Sequence, residues 1–364
     1  MLLTQERLNP GHYEANIIAD SVSEADHRLT TFVITFPRLV LAEYNTHRVL
    51  SRNSASTRAI PVSTQLLRVL DDPFIPERFG VQQPGMEASR FAEGVQHSVA
   101  VKNWLLGRDI AVLGAVASLG GLNSVDPTTG KPMLNDDLKD RVAELDSELG
   151  YSKLLANRIG ADPGLESVLT DYLSSQEVDE IFNLSFLEEP LHKQLAGRPL
   201  EPWMWQTVLT TGTEWRNFFA LRNSPAAQPE IMMVARNMQE AYEAGNPQLL
   251  LPGEWHTPII GFEGDETLSL EEKKKASTGR CARVSYLTHG NQRDVKADFG
   301  LHDGLLSNGH MSPFEHPARP QTEEELAKYP EFDGMVVPLH GNFKGFHQYR
   351  KDIPNEDNFG AKAA

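Results

Sequence analysis

Residues 28–43 (RLTTFVITFPRLVLAE) are dense in β-branched and aromatic side chains, with Pro37 in the middle. That pattern predicts one strand, or two short ones joined at the proline. A polar run follows over 44–58, and then IPVSTQLLRVL predicts a short helix. Residues 71–86 are proline-rich and predict an irregular loop. Over 87–119 the positions Phe91, Val95, Val99, Trp104 and Leu105 recur at helical spacing. Residues 120–186 open with GGLNSVDPTTGKP and turn acidic and helical without candidate chemistry, which predicts a helical insertion. Over 191–242 the pattern is again helical, broken by RPLEPW and NSPAAQP, and 251–272 read as another loop. CARVSYL predicts a short strand, 295–308 a helix, and 317–341 a surface loop. The tail 342–357 (NFKGFHQYRKDIPNED) is unusually rich in aromatic and basic residues for a chain end. There is no internal repeat.

Composition narrows the function. The 364 residues carry 34 Lys and Arg against 50 Asp and Glu, a formal charge of -16. Such a field repels a nucleic-acid backbone, whereas a small phosphorylated ligand can still be held by a few local arginines. A single cysteine, Cys281, allows no intrachain disulfide and no Cys-rich zinc site, in keeping with a reducing cytoplasm. The start lacks the charged and apolar regions of a signal peptide, and the most apolar run, 110–122, is too short to span a bilayer. A Gly-x-Gly fingerprint, a P-loop, a His-Glu-x-x-His helix and a Gly-x-Ser-x-Gly elbow are all missing, so no metal site is expected.

Three polar clusters call for an explanation beyond solvation. NTHRVLSRNSASTR (45–58) places Arg48, Arg52 and Arg58 among hydroxyls and amides, a composition suited to phosphate and carbonyl oxygens, although a solvated loop has the same polarity. In TGTEWRNFFALRNSPAAQPE (211–230), Asn217 and Arg222 flank an apolar segment, so Arg222 needs an anionic or strongly polar partner, which a structural ion pair with Glu230 or another acid could also supply. In HMSPFEH (310–316), Ser312 before Pro313 with Glu315 in the first turn suits a helix start, but that leaves His310 and His316 without a role.

Together these clusters resemble the flavin-dependent thymidylate synthases. That family's Arg-His-Arg, seven residues, Ser signature is similar to Thr46-His47-Arg48 followed after seven residues by Ser56, Thr57 and Arg58. Its His-x-Ser/Thr-Pro-Phe-Glu-His element is matched by 310–316, its Asn-Phe-Leu-x-Leu-Arg and Ala-Gln-x-Glu-Ile elements by 217–222 and 227–231, and its Ala-Arg-Val-Ser-Tyr strand by 282–286. The motif order is changed, as in a circular permutation. His192 to Gln194 and Gln348 to Lys351 also resemble a divergent branch familiar from phage genomes.

The resemblance implies an α+β fold, an antiparallel sheet with long helices, with 1–119 and 187–364 as the catalytic domain and 120–186 inserted. It implies reductive methylation of dUMP at C5 in the cytoplasm, with methylene-tetrahydrofolate as carbon donor, reduced FAD as hydride donor and NADPH reducing the flavin. It also implies a homotetramer. The alternatives are a flavin- and folate-dependent hydroxymethylase acting on dUMP or dCMP, and a non-catalytic nucleotide- or flavin-binding homologue. By resemblance, His47, Arg48, Asn53, Asn217, Ser285, His310, Ser312 and Glu315 contact FAD. Ser56, Thr57 and Arg58 hold the nucleotide, and Arg222 is the catalytic arginine at the pyrimidine edge. Glu43, Thr46 and Ser54 stand where the family usually has Gln, Arg and Glu. Arg198 is the nearest candidate for a further nucleotide-binding arginine, and Gln348, Arg350 and Lys351 of the tail could replace the lost Gln and Arg. Cys281, in its strand-like context with no general base nearby in sequence, is read as a buried structural residue.

Overall fold

The computed structural model describes residues 8, 10–84, 89–150, 189–290, 294–327, 341–354 and 356–357. Two compact units emerge, one formed by Met1–Ser56 with Trp205–Ala364, the other by Thr57–Met204. This division differs from the expected one, because the second unit begins well before position 120 and continues past 186. The part of the expected insertion over 151–186 lies outside the described residues.

The first unit is built on a mixed five-stranded sheet with strands β1 (Ala15–Ser23), β2 (Arg28–Pro37), β3 (Ser51–Ser54), β4 (Trp205–Gly212) and β5 (Gln248–Leu250) in the order β3-β4-β2-β1-β5. All neighbours are antiparallel except β1 and β5, which run parallel, so the expected purely antiparallel sheet is corrected at this edge. β2 lies at the centre and is buried from Leu29 onward, which explains its unbroken apolar and threonine content. Its residues alternate between two cores. Phe32, Ile34 and Phe36 pack with Trp215 and with Phe218, Ile231 and Val234 of helices α1 (Arg216–Arg222) and α2 (Pro229–Ala244). Val33 packs on the other face with Leu209, Ile259, Cys281 and Val284.

Helix α3 (Leu270–Ala282) covers that second face and runs beside α4 (Val295–Ser307). α3 opens with a capping box in which Ser269 and Glu272 satisfy each other's end groups. The expected strand CARVSYL is the end of α3 followed by a 3-10 turn, Arg283–Tyr286. Two features impose the helix there. Gly279 lets the α4 backbone approach, since a Cβ at that position would lie 2.4 Å from the Asp298 carbonyl oxygen. Arg280, 1% exposed, bonds both Asp265 (2.7 and 2.8 Å) and Asp298 (2.8 Å), a buried cluster in which each charge is paired. Cys281 is fully buried in the core, as its sequence context suggests.

Besides β1, β3 and β5, three further strands fall where none was expected. β4 sits in a region of helical pattern, yet its TVLTT run pairs with both β2 and β3, and that pairing overrides the weaker helical period. β6 (Ala318–Pro320) and β7 (Phe346–Gln348) form a small antiparallel sheet from the expected surface loop and the tail. Phe343 and Phe346 anchor the tail, packing fully buried against Leu29, Leu250 and Ala318.

The second unit is helical, with helices at Val62–Asp71, Gly94–Ser118 and Asp136–Leu149. The Asn135 side chain caps the last of these, accepting from the Leu138 amide at 2.9 Å, and Gly150 ends it at φ 62°. Leu134, Leu138 and Val142 share one core with Leu66, Val69, Val112, Val116 and Leu200. The acidic helix is therefore an integral part of this unit, contrary to a separable insertion starting at 120. Among the described residues no helix is long and apolar enough to cross a membrane.

Candidate functional site

Strand pairing decides which motif residues share a face. Ser51 lies opposite Thr211, and Asn53 opposite Leu209, so Ser51 and Asn53 point to the Val33 side while Arg52 and Ser54 point away. The Ser-Pro-Phe-Glu turn, a 3-10 helix at Ser312–Glu315, docks on that edge. Ser312 Oγ donates to Asn53 Oδ1, and Ser51 Oγ donates to Glu315 Oε2 at 2.6 Å. The tail closes the cluster. Gln348 Nε2 donates to Asn342 Oδ1 (2.7 Å), Asn342 Nδ2 donates to the Val49 carbonyl (3.0 Å), and Arg350 Nη1 donates to Glu315 Oε1 (2.7 Å). Segments some 260 residues apart in sequence thus meet at Glu315.

Of these residues, Glu315, Asn342, Gln348 and Arg350 line a cleft of about 380 Å³, whose walls also include Arg48, Arg52 and Lys351. Arg350 and Lys351 are paired with Glu315 and Glu356. Arg52 donates to backbone carbonyls, 2.9 Å to His47 O and 3.3 Å to Tyr44 O. Four cations therefore meet two carboxylates, leaving a local positive surplus on a chain of net charge -16. Such a surplus suits a phosphate or carboxylate ligand.

A second cluster adjoins through His47, whose carbonyl bonds Arg52 while its ring bonds Arg222. Arg222 Nε donates to His47 Nε2 at 2.8 Å, Nη1 to Glu43 Oε1, and Nη2 to Thr46 Oγ1 at 3.3 Å. Accepting at Nε2 makes His47 a neutral imidazole with its proton on Nδ1. Burial, then the charges of Arg222 and Arg52, push its pKa down to about 4. The acid paired with Arg222 is thus Glu43, in keeping with the ion pair to Glu230 or another acid considered from sequence.

Behind the site runs a buried chain of hydroxyls and imidazoles. Ser21 Oγ and His256 Nδ1 are 2.8 Å apart, His256 Nε2 and Thr31 Oγ1 2.8 Å, Thr31 Oγ1 and Thr211 Oγ1 2.7 Å, and Thr211 Oγ1 and His316 Nδ1 2.8 Å. Burial holds both imidazoles neutral, with pKa values pushed down to about 3, His256 adding to the effect on His316. His316, the final residue of the third polar cluster, therefore pins the Ser-Pro-Phe-Glu turn to the sheet.

The remaining expected residues are not drawn together. Ser56 donates its backbone amide to Ser285 O at 3.0 Å, which ties the signature to the 3-10 turn without bringing either hydroxyl to the cleft. Ser54 points to the opposite face of the sheet from Asn53. Asn217 and His310 are exposed. Thr57, Arg58 and Arg198 belong to the second unit, where Thr57 Oγ1 donates to Glu201 (3.4 Å), Arg198 Nε donates to Gln194 O (3.2 Å) and Arg58 is exposed. Arg52, read from sequence as suited to phosphate oxygens, and Lys351 of the tail both line the cleft. Sequence assignment missed Ser51 and Asn342, and nothing in the sequence marked Asn342.

Comparison with known proteins adds no identification: no protein-family model matches the chain, no curated protein is significantly similar to it, and no solved structure matches it.

Proposed function

We propose that the chain is an enzyme of the flavin-dependent thymidylate synthase type, transferring one carbon from methylene-tetrahydrofolate to C5 of a pyrimidine deoxynucleoside monophosphate. The observation that carries this reading is the convergence on Glu315 and the cationic cleft of three segments far apart in the chain, each singled out by its resemblance to one enzyme class. The cleft, at about 380 Å³, suits one nucleotide's phosphate and sugar, and the Arg222 cluster takes the base end.

The residues also fit a flavin. Asn53 Nδ2 is buried without a hydrogen-bond partner, a donor suited to a ring carbonyl or ring nitrogen. Asn53, Ser312 and Arg48 would hold the cofactor, and reduced FAD bound there would supply the hydride, with NADPH as its reductant. The chain's own residues bind and orient. Arg48 and Arg350 hold phosphate, Glu315 fixes Arg350, and neutral His47 aligns the Arg222 guanidinium without adding charge. The resemblance also implies a homotetramer.

The test is incubation of the purified protein with methylene-tetrahydrofolate, FAD, NADPH and either dUMP or dCMP, followed by mass analysis of the nucleotide. A methyl or hydroxymethyl mass increment supports the reading and names the product. Unchanged nucleotide, together with no measurable nucleotide binding, would refute it.

A further inference from the structure

Two of the four cations lining the cleft are already matched by a carboxylate from the chain's own tail. Glu356 accepts from Arg350 Nε through Oε2 at 2.6 Å and from Lys351 Nζ through Oε1, so one side chain bridges both. Arg350 and Lys351 line the cleft, whereas Glu356 does not. Arg350 does not depend on Glu356 for its orientation, since Glu315, itself in the cleft wall, holds Nη1 at 2.7 Å. Donors remain in place. Arg350 Nη2 and the other ammonium hydrogens of Lys351 have no partner among the described residues. What Glu356 withholds from the cleft is therefore positive charge, not hydrogen-bond donors. Its hold is also one that can open. Ile353 is 8% exposed and packs with Met311 and Phe314, and beyond it Pro354 and Asp357 are exposed. Among the described residues after Ile353, the contacts that fix the chain are the two ion pairs of Glu356. Their side chains are partly exposed, 12% for Glu356, 28% for Arg350 and 33% for Lys351, a setting in which an ion pair resists a competing anion only weakly.

We propose that Glu356 is an internal counter-ion that competes with the ligand's phosphate for Arg350 and Lys351 and so restrains binding in the cleft. The proposal rests on the reading of the cleft as a phosphate site given above. A phosphate monoester near neutral pH brings close to two negative charges and three acceptor oxygens, more than the carboxylate it meets. The spare donors of Arg350 and Lys351 make the first contact, and Glu356 then yields to solvent without disturbing the anchor at Ile353. Its departure removes one negative charge from beside the ligand, on a chain whose net charge of -16 otherwise opposes an anion. While the cleft is empty, the same contact keeps the two tail cations paired, and the affinity lies below what the four cations would give alone.

Calorimetric titration of the full-length protein with dUMP, and with inorganic phosphate as a probe lacking base and sugar, tests this without flavin or turnover. Glu356→Gln is expected to bind both roughly two- to fivefold more tightly than the wild type, the range that a partly exposed ion pair is worth. Asp357→Asn is the control. Asp357 is the next residue, exposed and without an ion pair among the described residues, so the change removes the same charge without releasing Arg350 or Lys351. Its gain should be clearly smaller. A gain in Asp357→Asn as large as in Glu356→Gln assigns the effect to net charge and overturns the proposal. Unchanged or weaker binding by Glu356→Gln shows that Glu356 positions the cations instead of competing for them, and overturns it as well. Both of these outcomes leave the phosphate reading intact. Failure of the wild type and both variants to bind either probe overturns the phosphate reading itself, and this proposal with it.

Discussion

Acid should destabilise this protein well above the range in which carboxylates titrate, and the cause is the buried imidazole chain. His256 and His316 are buried, 2% and 0% exposed, with pKa values pushed down to about 3, against about 6.5 for an unfolded chain. Between those values the unfolded state carries protons that the folded state does not. Stability is therefore full above about pH 6.5 and is lost as the pH falls towards 3. Each pH unit inside this window costs about 1.4 kcal/mol per imidazole, so moving from about pH 7 to pH 5 should remove about 2 kcal/mol for each residue and about 4 kcal/mol for the pair. The informative variant is His316→Asn, which keeps a polar group within reach of Thr211 and removes one titrating site. Urea unfolding of wild type and variant, at both pH values, should show a pH-dependent loss about 2 kcal/mol smaller in the variant. Proton NMR of the folded wild type should also show that the rings of His256 and His316, like that of His47, do not titrate above about pH 5. An identical pH-dependent loss in His316→Asn, or a His316 ring titrating near 6.5, would refute the reasoning.

Three other outcomes follow from particular contacts. Arg222→Ala removes the group held by His47 and Glu43 and should lower turnover by roughly 30- to 1000-fold, about 2–4 kcal/mol, with wild-type kinetics counting against its assignment. Arg350→Ala should weaken nucleotide binding by about tenfold, about 1.4 kcal/mol, with the fold intact by circular dichroism; unchanged affinity would place the phosphate elsewhere. Gly279→Ala puts a methyl 2.4 Å from the Asp298 carbonyl oxygen, and the resulting overpacking should cost about 1–3 kcal/mol in urea unfolding, whereas an unchanged midpoint would show that α3 and α4 separate freely.

The sequence made legible what depends on local pattern. The β2 strand ending at Pro37, the helices at Val62–Asp71, Gly94–Ser118 and Val295–Ser307, and the turn at Ser312–Glu315 all follow from period and punctuation. What it hid depends on partners. β4 is a strand because β2 and β3 flank it, and β5 to β7 are three residues each, too short to carry a period. The ARVSY segment is rich in strand-forming residues, yet Arg280 and Gly279 fix it to α4, and no local propensity records a contact across 18 residues.

The site shows the same division, and it changes how the tail should be probed. Arg48, Arg222 and Glu315 were legible as chemistry because arginines among hydroxyls and amides are rarely placed without a polar partner. Their partners were not legible, since Ser51, Glu315 and Asn342 meet only once the sheet edge, the 3-10 turn and the tail are assembled. The tail's composition pointed correctly to an ordered segment, and Gln348 and Arg350 do line the cleft. Yet the anchors Phe343 and Phe346 are fully buried, so cutting the chain before them would open the core formed with Leu29 and Leu250. A truncation would then lose ligand binding whether or not the tail touches the ligand. Only point changes at Gln348 or Arg350, which leave both phenylalanines in place, separate the tail's packing from its part in the cleft.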